Sequence, residues 1–440
     1  MNKLNKNKDS VKISIYPILT VNFVGTLGFG IVLPFLVFLV TRYGGNAFIY
    51  GIMGATYSAF QLIGAPILGR WSDIFGRKRI LLLSQLGTLL SWVIFLIALY
   101  LPQMQIFVVD STLVGSFTLT LPLIFLFIAR LFDGLTGGNV SVANAYLADI
   151  TPENKRNENF GKMAVSANLG FIFGPALAGL LGTTNLKETL PVLVALIISV
   201  IASLLIAYLL PESKKCTLKN NPEAANIRKV FGQEHKDCYQ LQNPAKLSLA
   251  EALKQPAIPT ILLVYFLIFL GFNFFYIAFP VHAVQILKWD LTDTGIYFAF
   301  LGIIMALVQG PILTKMSKAI SELNLILIGS FFLAIGFSLY IFNTIFLVYI
   351  GAAFIAIGNG LMWPSVLSLL SQTTDEKFQG IIQGFAGSMG SVASILGLLI
   401  GGVLYTRVSG WIFMISAIII FFIFIISFSF KYQTEKKLLN

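Results

Sequence analysis

The chain has 440 residues, of which 57% are hydrophobic and only 11% charged, and its 30 Lys and Arg against 19 Asp and Glu give a net charge of +11. Apolar runs of about 20 residues, the length a helix needs to cross a bilayer core, recur from end to end. This composition excludes a soluble globular enzyme, and the scatter of basic residues over separate short segments excludes a nucleic-acid patch.

Twelve spans are expected in chain order, at 13–40, 48–69, 80–101, 117–146, 160–182, 189–210, 257–285, 292–314, 323–343, 345–370, 378–405 and 409–430. In lipid every backbone group must be satisfied within its own segment, so runs of this length read as helices and the fold class as all-α and polytopic. Before the first span lies a polar, basic tail, 1–12, and that span is too long to be a cleaved leader. Arg42, Lys187, Lys288 and Arg407 fall in odd-numbered loops, Arg130 inside a span and Lys162 at the start of one, whereas every other Lys and Arg lies at the termini or in even-numbered loops. Under the positive-inside rule both termini and the long central segment are cytoplasmic, and the net charge reflects topology.

That central segment, 211–256, divides a half at 13–210 from a half at 257–430, with a tail at 431–440. It is rich in Lys, Asn, Gln and Glu and reads as a tether, with a short surface helix expected at LSLAEALKQP. Cys216 and Cys238 fall in it at no metal-ligand spacing, beside a solvated His235, and are expected to be reduced. No metal and no cofactor are expected.

The most specific stretch joins the second and third spans: GAPILGRWSDIFGRKRILLL, Gly64 to Leu83. A hydrophilic link this short must be a tight cytoplasmic turn, so Gly69, Arg70, Asp73, Gly76, Arg77 and Lys78 sit at helix ends, where charges can latch one helix to another. The fourth span carries Arg130 and, three positions on and on about the same helical face, Asp133, the only acid well inside a span. An ionisable group there costs about 2.5 to 3.5 kcal/mol on insertion scales, so it faces a cavity or a partner. Separating it from Arg130 during a conformational change would alter its proton affinity, which is a means of coupling. The fifth span places Gly170, Gly174 and Gly179 on one face, with Pro175 to bend it, a pattern suited to close backbone approach. Other polar residues inside spans are Asn22, Asn139, Asn144, Asn168, Asn273, Gln309, Asn359 and Gln383. Aromatic residues, Tyr276 and Trp363 among them, suit a flat amphipathic ligand. His282, near the outer end of the seventh span, reads as an interfacial polar residue.

A weak internal repeat sets QGPILTKMSKAISELNLILI under the Gly64 to Leu83 stretch, with Pro311 under Pro66, Lys315 under Arg70 and Lys318 under Asp73. Together with Gly69-x-x-x-Asp73-x-x-Gly76-Arg77-Lys78, this resembles the major facilitator superfamily, and GRWSDIFGRKR, AYLADIT and the fifth-span glycines are similar to its twelve-helix drug:proton antiporters, especially the tetracycline-exporter-like branch. The resemblance implies two pseudo-symmetric six-helix halves with substrate at the midplane between them. It also implies that Asp73 contacts the N-terminal end of the eleventh span at Phe378-Gln379-Gly380, where unpaired N–H groups favour a carboxylate. Arg77 would then pair with Asp73, and Asp149 would act as a second acidic partner. Tetracycline exporters carry membrane carboxylates in their first and third spans; Gly25 and Ser91 stand at those positions here, so that proton route is not carried over.

The function implied is proton-coupled antiport exporting a small amphipathic molecule from a bacterial inner membrane, by a protein functional as a monomer, with uptake symport of a metabolite as the alternative. The chain lacks the paired carboxylates or His and Cys constellation of an enzyme and has no Walker-type segment for ATP.

Overall fold

The computed structural model describes residues 14–137, 139–151, 156–182, 184, 186, 188–213, 251, 253–255, 257–374 and 379–439. Residues 214–250, 252 and 256 of the tether, which include both cysteines and most of its expected surface helix, lie outside the described residues. The helices are α1 (Tyr16–Arg42), α2 (Ala47–Phe75), α3 (Arg77–Tyr100), α4 (Leu121–Thr136), α5 (Asn139–Ile150), α6 (Arg156–Gly182) and α7 (Thr189–Leu209), followed by α8 (Ile258–Gln285), α9 (Leu291–Leu307), α10 (Glu322–Ser338), α11 (Ile345–Thr373), α12 (Gln379–Val408) and α13 (Trp411–Leu439). A π-turn at Val308–Ile312 and a last helical turn extend α9 to Met316. Among the described residues, eleven helices are long and apolar enough to cross a membrane.

The fourth expected span is not one of the eleven, because it is divided. Its first residues, Phe117–Thr120, form a strand, β2, that pairs antiparallel with β1 (Gln105–Val109). β-branched Thr118 and Thr120 favour extension, and both are tied to the turn after α1 through Thr118 N–H to Gly44 O at 2.8 Å and Thr120 Oγ1 to Tyr43 O at 2.9 Å. Helix begins only at Leu121, with Pro122 in its first turn. The second interruption follows Thr136, in the glycine-rich GLTGGN stretch. Carbonyls released at such a break need partners inside the bilayer. Ser84 of α3 donates to Thr136 O, and Gln61 of α2 donates to Gly137 O at 3.1 Å. A Cβ on Gly134 would collide with the Tyr57 carbonyl, so α4 can lie this close to α2 only with glycine there.

The link between α2 and α3 also differs from expectation. Helix continues through RWSDIF to Phe75, which leaves Gly76 alone as the joint. Gly76 takes φ 101° and ψ 145°, a region open essentially to glycine. A Cβ there would lie 2.6 Å from Glu212 Oε2. Gly76→Ala is therefore expected to destabilise the protein by about 1–3 kcal/mol, read as an earlier thermal transition in detergent with helix content unchanged.

In the repeated stretch the halves diverge. Around Pro66, α2 stays α-helical, whereas the same proline in the second copy, Pro311, lies within the π-turn of α9. Symmetry returns at two asparagines. Asn22 of α1 donates to Ser166 Oγ of α6 at 2.9 Å, and Asn273 of α8 donates to Ser394 Oγ of α12 at 3.1 Å. Each half thus pins its first helix to its fifth with an Asn–Ser pair.

Contacts between the halves gather at the end that the charge distribution assigns to the outside. A Cβ on Gly402 of α12 would lie 2.9 Å from Ala47 O of α2, and one on Gly179 of α6 would lie 2.6 Å from Gly295 Cα of α9. Such approaches leave no room for a side chain, so this end of the bundle is closed in this conformation. Arg407, in the last turn of α12, adds a 3.4 Å bond from Nε to Leu113 O in the hairpin.

Candidate functional site

Between the halves lies a cavity of about 650 Å³. Its polar lining includes Asn22, Gln61, Gln85, Thr88, Arg130 and Asp133 from the N-terminal half and Asn273, Tyr276, Gln309 and Asn359 from the C-terminal half. Of the eight cavity residues expected from the sequence, Asn22, Asn273, Tyr276, Gln309 and Asn359 line it, and the side chains of Asn139, Asn168 and Gln383 lie outside the described residues. Asn22 and Asn273 serve partly as interhelical pins, while Asn359 donates to Met305 Sδ at 3.9 Å. Trp363, Phe269 and Tyr265 stand with ring centroids 5.1 Å apart, and the first two face the cavity.

The charged centre is built where α4 stops. Arg130 Nη1 bonds Asp133 Oδ2 at 3.0 Å, and the two side chains are 5% and 13% exposed, so the pair has little water to screen it. Thr88 of α3 lines the cavity beside the pair. The guanidinium lies 4.5 Å above the Tyr57 ring and 5.9 Å from the Phe29 ring. Contacts of that kind contribute about 0.5 to 2 kcal/mol and hold the cation without a second acid. Arg130 Nε is buried with no hydrogen-bond partner. Thr88, Tyr57 and Gln61 were not singled out in the sequence; their signal is their spacing opposite Asp133 on α2 and α3, which becomes visible only once the helices pack.

Positions 25 and 91 take different parts. Gly25 lines the cavity, whereas the Ser91 hydroxyl is buried and donates to Ala129 O at 2.6 Å, fastening α3 to α4.

At the opposite end, Arg77 is 8% exposed. Its Nε bonds Asp149 Oδ2 at 3.0 Å and its Nη1 bonds Ser72 Oγ at 2.6 Å. Ser213 Oγ donates to the same Asp149 oxygen at 3.1 Å. Glu212, which the sequence reading passed over, accepts from Lys78 N–H at 3.2 Å at the first turn of α3, where a helix favours negative charge. It belongs to the PESKK stretch closing α7 and ties the start of the tether to the α2–α3 joint. Arg70 is exposed and Gly69 meets open space. The side chain of Asp73, and Phe378 with the side chains of Gln379 and Gly380, lie outside the described residues.

The glycines of α6 serve two interfaces. Gly170 and Gly174 pack on α1 within their own half, where a Cβ on Gly174 would lie 2.7 Å from Gly30 Cα, and Pro175 lines the cavity. Of these three, Gly179 reaches across to the other half, and Gly182, one turn on, does the same against Leu291. His282 is not interfacial: it is 1% exposed, with Nε2 2.7 Å from Asn343 Oδ1 and Nδ1 3.2 Å from the Tyr405 hydroxyl, and it binds α8 to the outer end of α12.

The family model of the Major Facilitator Superfamily matches residues 18–339 and 310–440. Among curated relatives, the chain is 27% identical over 409 residues to the class E tetracycline resistance protein of Escherichia coli, covering 90% of each chain. It is 28% identical over 383 residues to the class C protein of the same organism, covering 86% of each. Hippocampus abundant transcript 1 protein of Mus musculus is 25% identical over 89% of this chain and 73% of its own length. Among solved structures, the human organic anion transporter MFSD10 (TETRAN) superposes with a TM-score of 0.63 at 18% identity, covering 94% of this chain and 98% of that one. The xylose transporter XylE of E. coli, in a partially occluded inward open conformation, gives 0.69 at 16% identity, covering 94% and 97%. The chain belongs to the Major Facilitator Superfamily, and is an integral membrane transporter and not an enzyme.

Proposed function

We propose that this transporter exchanges a small amphipathic molecule for protons, exporting it across a bacterial inner membrane as a monomer with both termini cytoplasmic. The observation that carries the reading is the Arg130–Asp133 pair in the wall of a cavity shared by the two halves. The aromatic lining of the cavity suits a flat, largely apolar ligand, and Asp133 supplies a group able to hold a proton or release it as its surroundings change. The likeness to tetracycline resistance proteins over most of both chains supports export of a drug-like compound. A panel of such compounds, tested on purified protein in vesicles with pH gradients of each sign, tests the reading. Substrate should move against the proton flux; movement with it would assign uptake symport instead.

In this cycle residues 13–210 and 257–430 rock as units joined by the tether at 211–256. Gly69, Arg70, Asp73, Gly76, Arg77, Lys78 and Asp149 form the cytoplasmic gate, with Asp73 engaging the N-terminal end of α12 when the outer side opens. Arg77 and Asp149 support this part by holding the α2–α3 joint rigid against α5. Asp73→Asn should weaken the outward-open state, impair transport and leave expression intact. Labelling of cytoplasmic cavity positions should rise; unchanged labelling with full transport would remove Asp73 from the gate.

A further inference from the structure

From Ile80 to Val109 the chain carries no Asp, Glu, Lys or Arg. That stretch is about ten residues longer than a bilayer core requires. Along α3, Leu86, Leu90, Val93, Ile97 and Tyr100 are exposed, spaced four or three apart, and so form one apolar stripe on the lipid side of the helix. The stripe does not stop where the helix does. Tyr100 is 74% exposed, and four residues on Met104, Ile106, Phe107 and Val108 are 58%, 46%, 50% and 65% exposed. These belong to β1 or directly precede it.

β1 is the strand of the hairpin that faces away from the bundle. Its partner β2 makes the attachments to Tyr43 and Gly44, and Asn46, the N-cap of α2, holds the turn by donating to Val114 O at 2.8 Å. The hairpin is thereby fixed against the turn between α1 and α2 with its apolar strand outward. The first charge after the stretch, Asp110, stands in the turn, exposed, and accepts from Ser116 Oγ at 2.6 Å. A strand with an unpaired edge cannot enter hydrocarbon, because its free N–H and C=O groups need water or headgroups. An exposed apolar strand of this kind in plain water would invite edge-to-edge association.

We propose that β1 is a lipid-docking element: its apolar side chains lie in the interfacial zone of the outer leaflet, continuing the lipid-facing stripe of α3, with the strand backbone at headgroup depth and Asp110 on the water side. Phospholipid is the occupant because the surface continues one that already faces lipid.

The test uses the full-length protein with Cys216 and Cys238 replaced by Ser and one new cysteine, Val108→Cys or Thr112→Cys, carrying a nitroxide in phosphatidylcholine and phosphatidylglycerol nanodiscs. Both positions are exposed, and a thermal transition matching the parent confirms folding of each variant. Collision with oxygen, which partitions into lipid, should exceed collision with a water-soluble nickel chelate several-fold at position 108, and the order should reverse at position 112. Equal or greater collision with the chelate at position 108 would overturn the proposal. Spin–spin broadening between labels at position 108 in two copies would also overturn it, by assigning the strand edge to a second copy of the chain.

Discussion

Asp133→Asn is expected to abolish gradient-driven transport while substrate binding persists. Asparagine matches the carboxyl group in shape and can still accept from Arg130, so the wall of the cavity should survive the change. What it cannot do is take up and release a proton. One charge moving across 100 mV yields about 2.3 kcal/mol, enough to hold roughly a fifty-fold gradient of a neutral substrate. The variant should lose that factor entirely and retain counterflow exchange. Arg130→Ala should lose the same coupling at greater structural cost, because removing one partner of a buried pair leaves an uncompensated charge worth about 3–5 kcal/mol. Proton release on adding substrate to the detergent-solubilised protein, titrated across pH, is the direct measurement. Wild-type proton exchange in Asp133→Asn would make the pair structural and place coupling elsewhere.

Gly179→Leu is expected to prevent the outer side from closing. In the closed form, Gly179 and Gly295 meet backbone to backbone, and a Cβ on Gly179 would already lie 2.6 Å from Gly295 Cα. Overpacking costs typically about 1–3 kcal/mol, and here the cost falls on one conformation alone, which shifts the equilibrium roughly 5- to 150-fold toward outward-open. Transport should fall by a similar factor, and a cysteine replacing the cavity-lining Tyr50 should label faster from outside. Gly174→Leu should behave differently, since Gly174 faces Gly30 within its own half. It should lower thermal stability in both conformations without favouring one. If both variants shifted accessibility alike, the two interfaces would not be separable.

The sequence alone determined the membrane-spanning class, the repeat and the family. These rest on signals that survive without neighbours: apolar runs long enough to span lipid, Lys and Arg concentrated in one set of loops, and a glycine-punctuated turn between two spans. It also marked Asp133, because an acid in an apolar run stands out against its own segment. Tertiary structure decided what shares the cavity wall with the acid, since Thr88, Tyr57 and Gln61 lie on other helices and look like ordinary polar or aromatic members of a span. It decided as well that α4 stops after Thr136, a break that a chain in lipid sustains because Ser84 and Gln61 take up the freed carbonyls. The strand at Phe117–Thr120 was hidden for the same reason, for its hydrogen bonds go to Gln105–Val109 and to the turn after α1. The one face expected for the glycines of α6 is two in the fold: Gly170 and Gly174 lie one turn apart and meet α1, whereas Gly179, nine residues from Gly170, turns to the opposite side and meets α9.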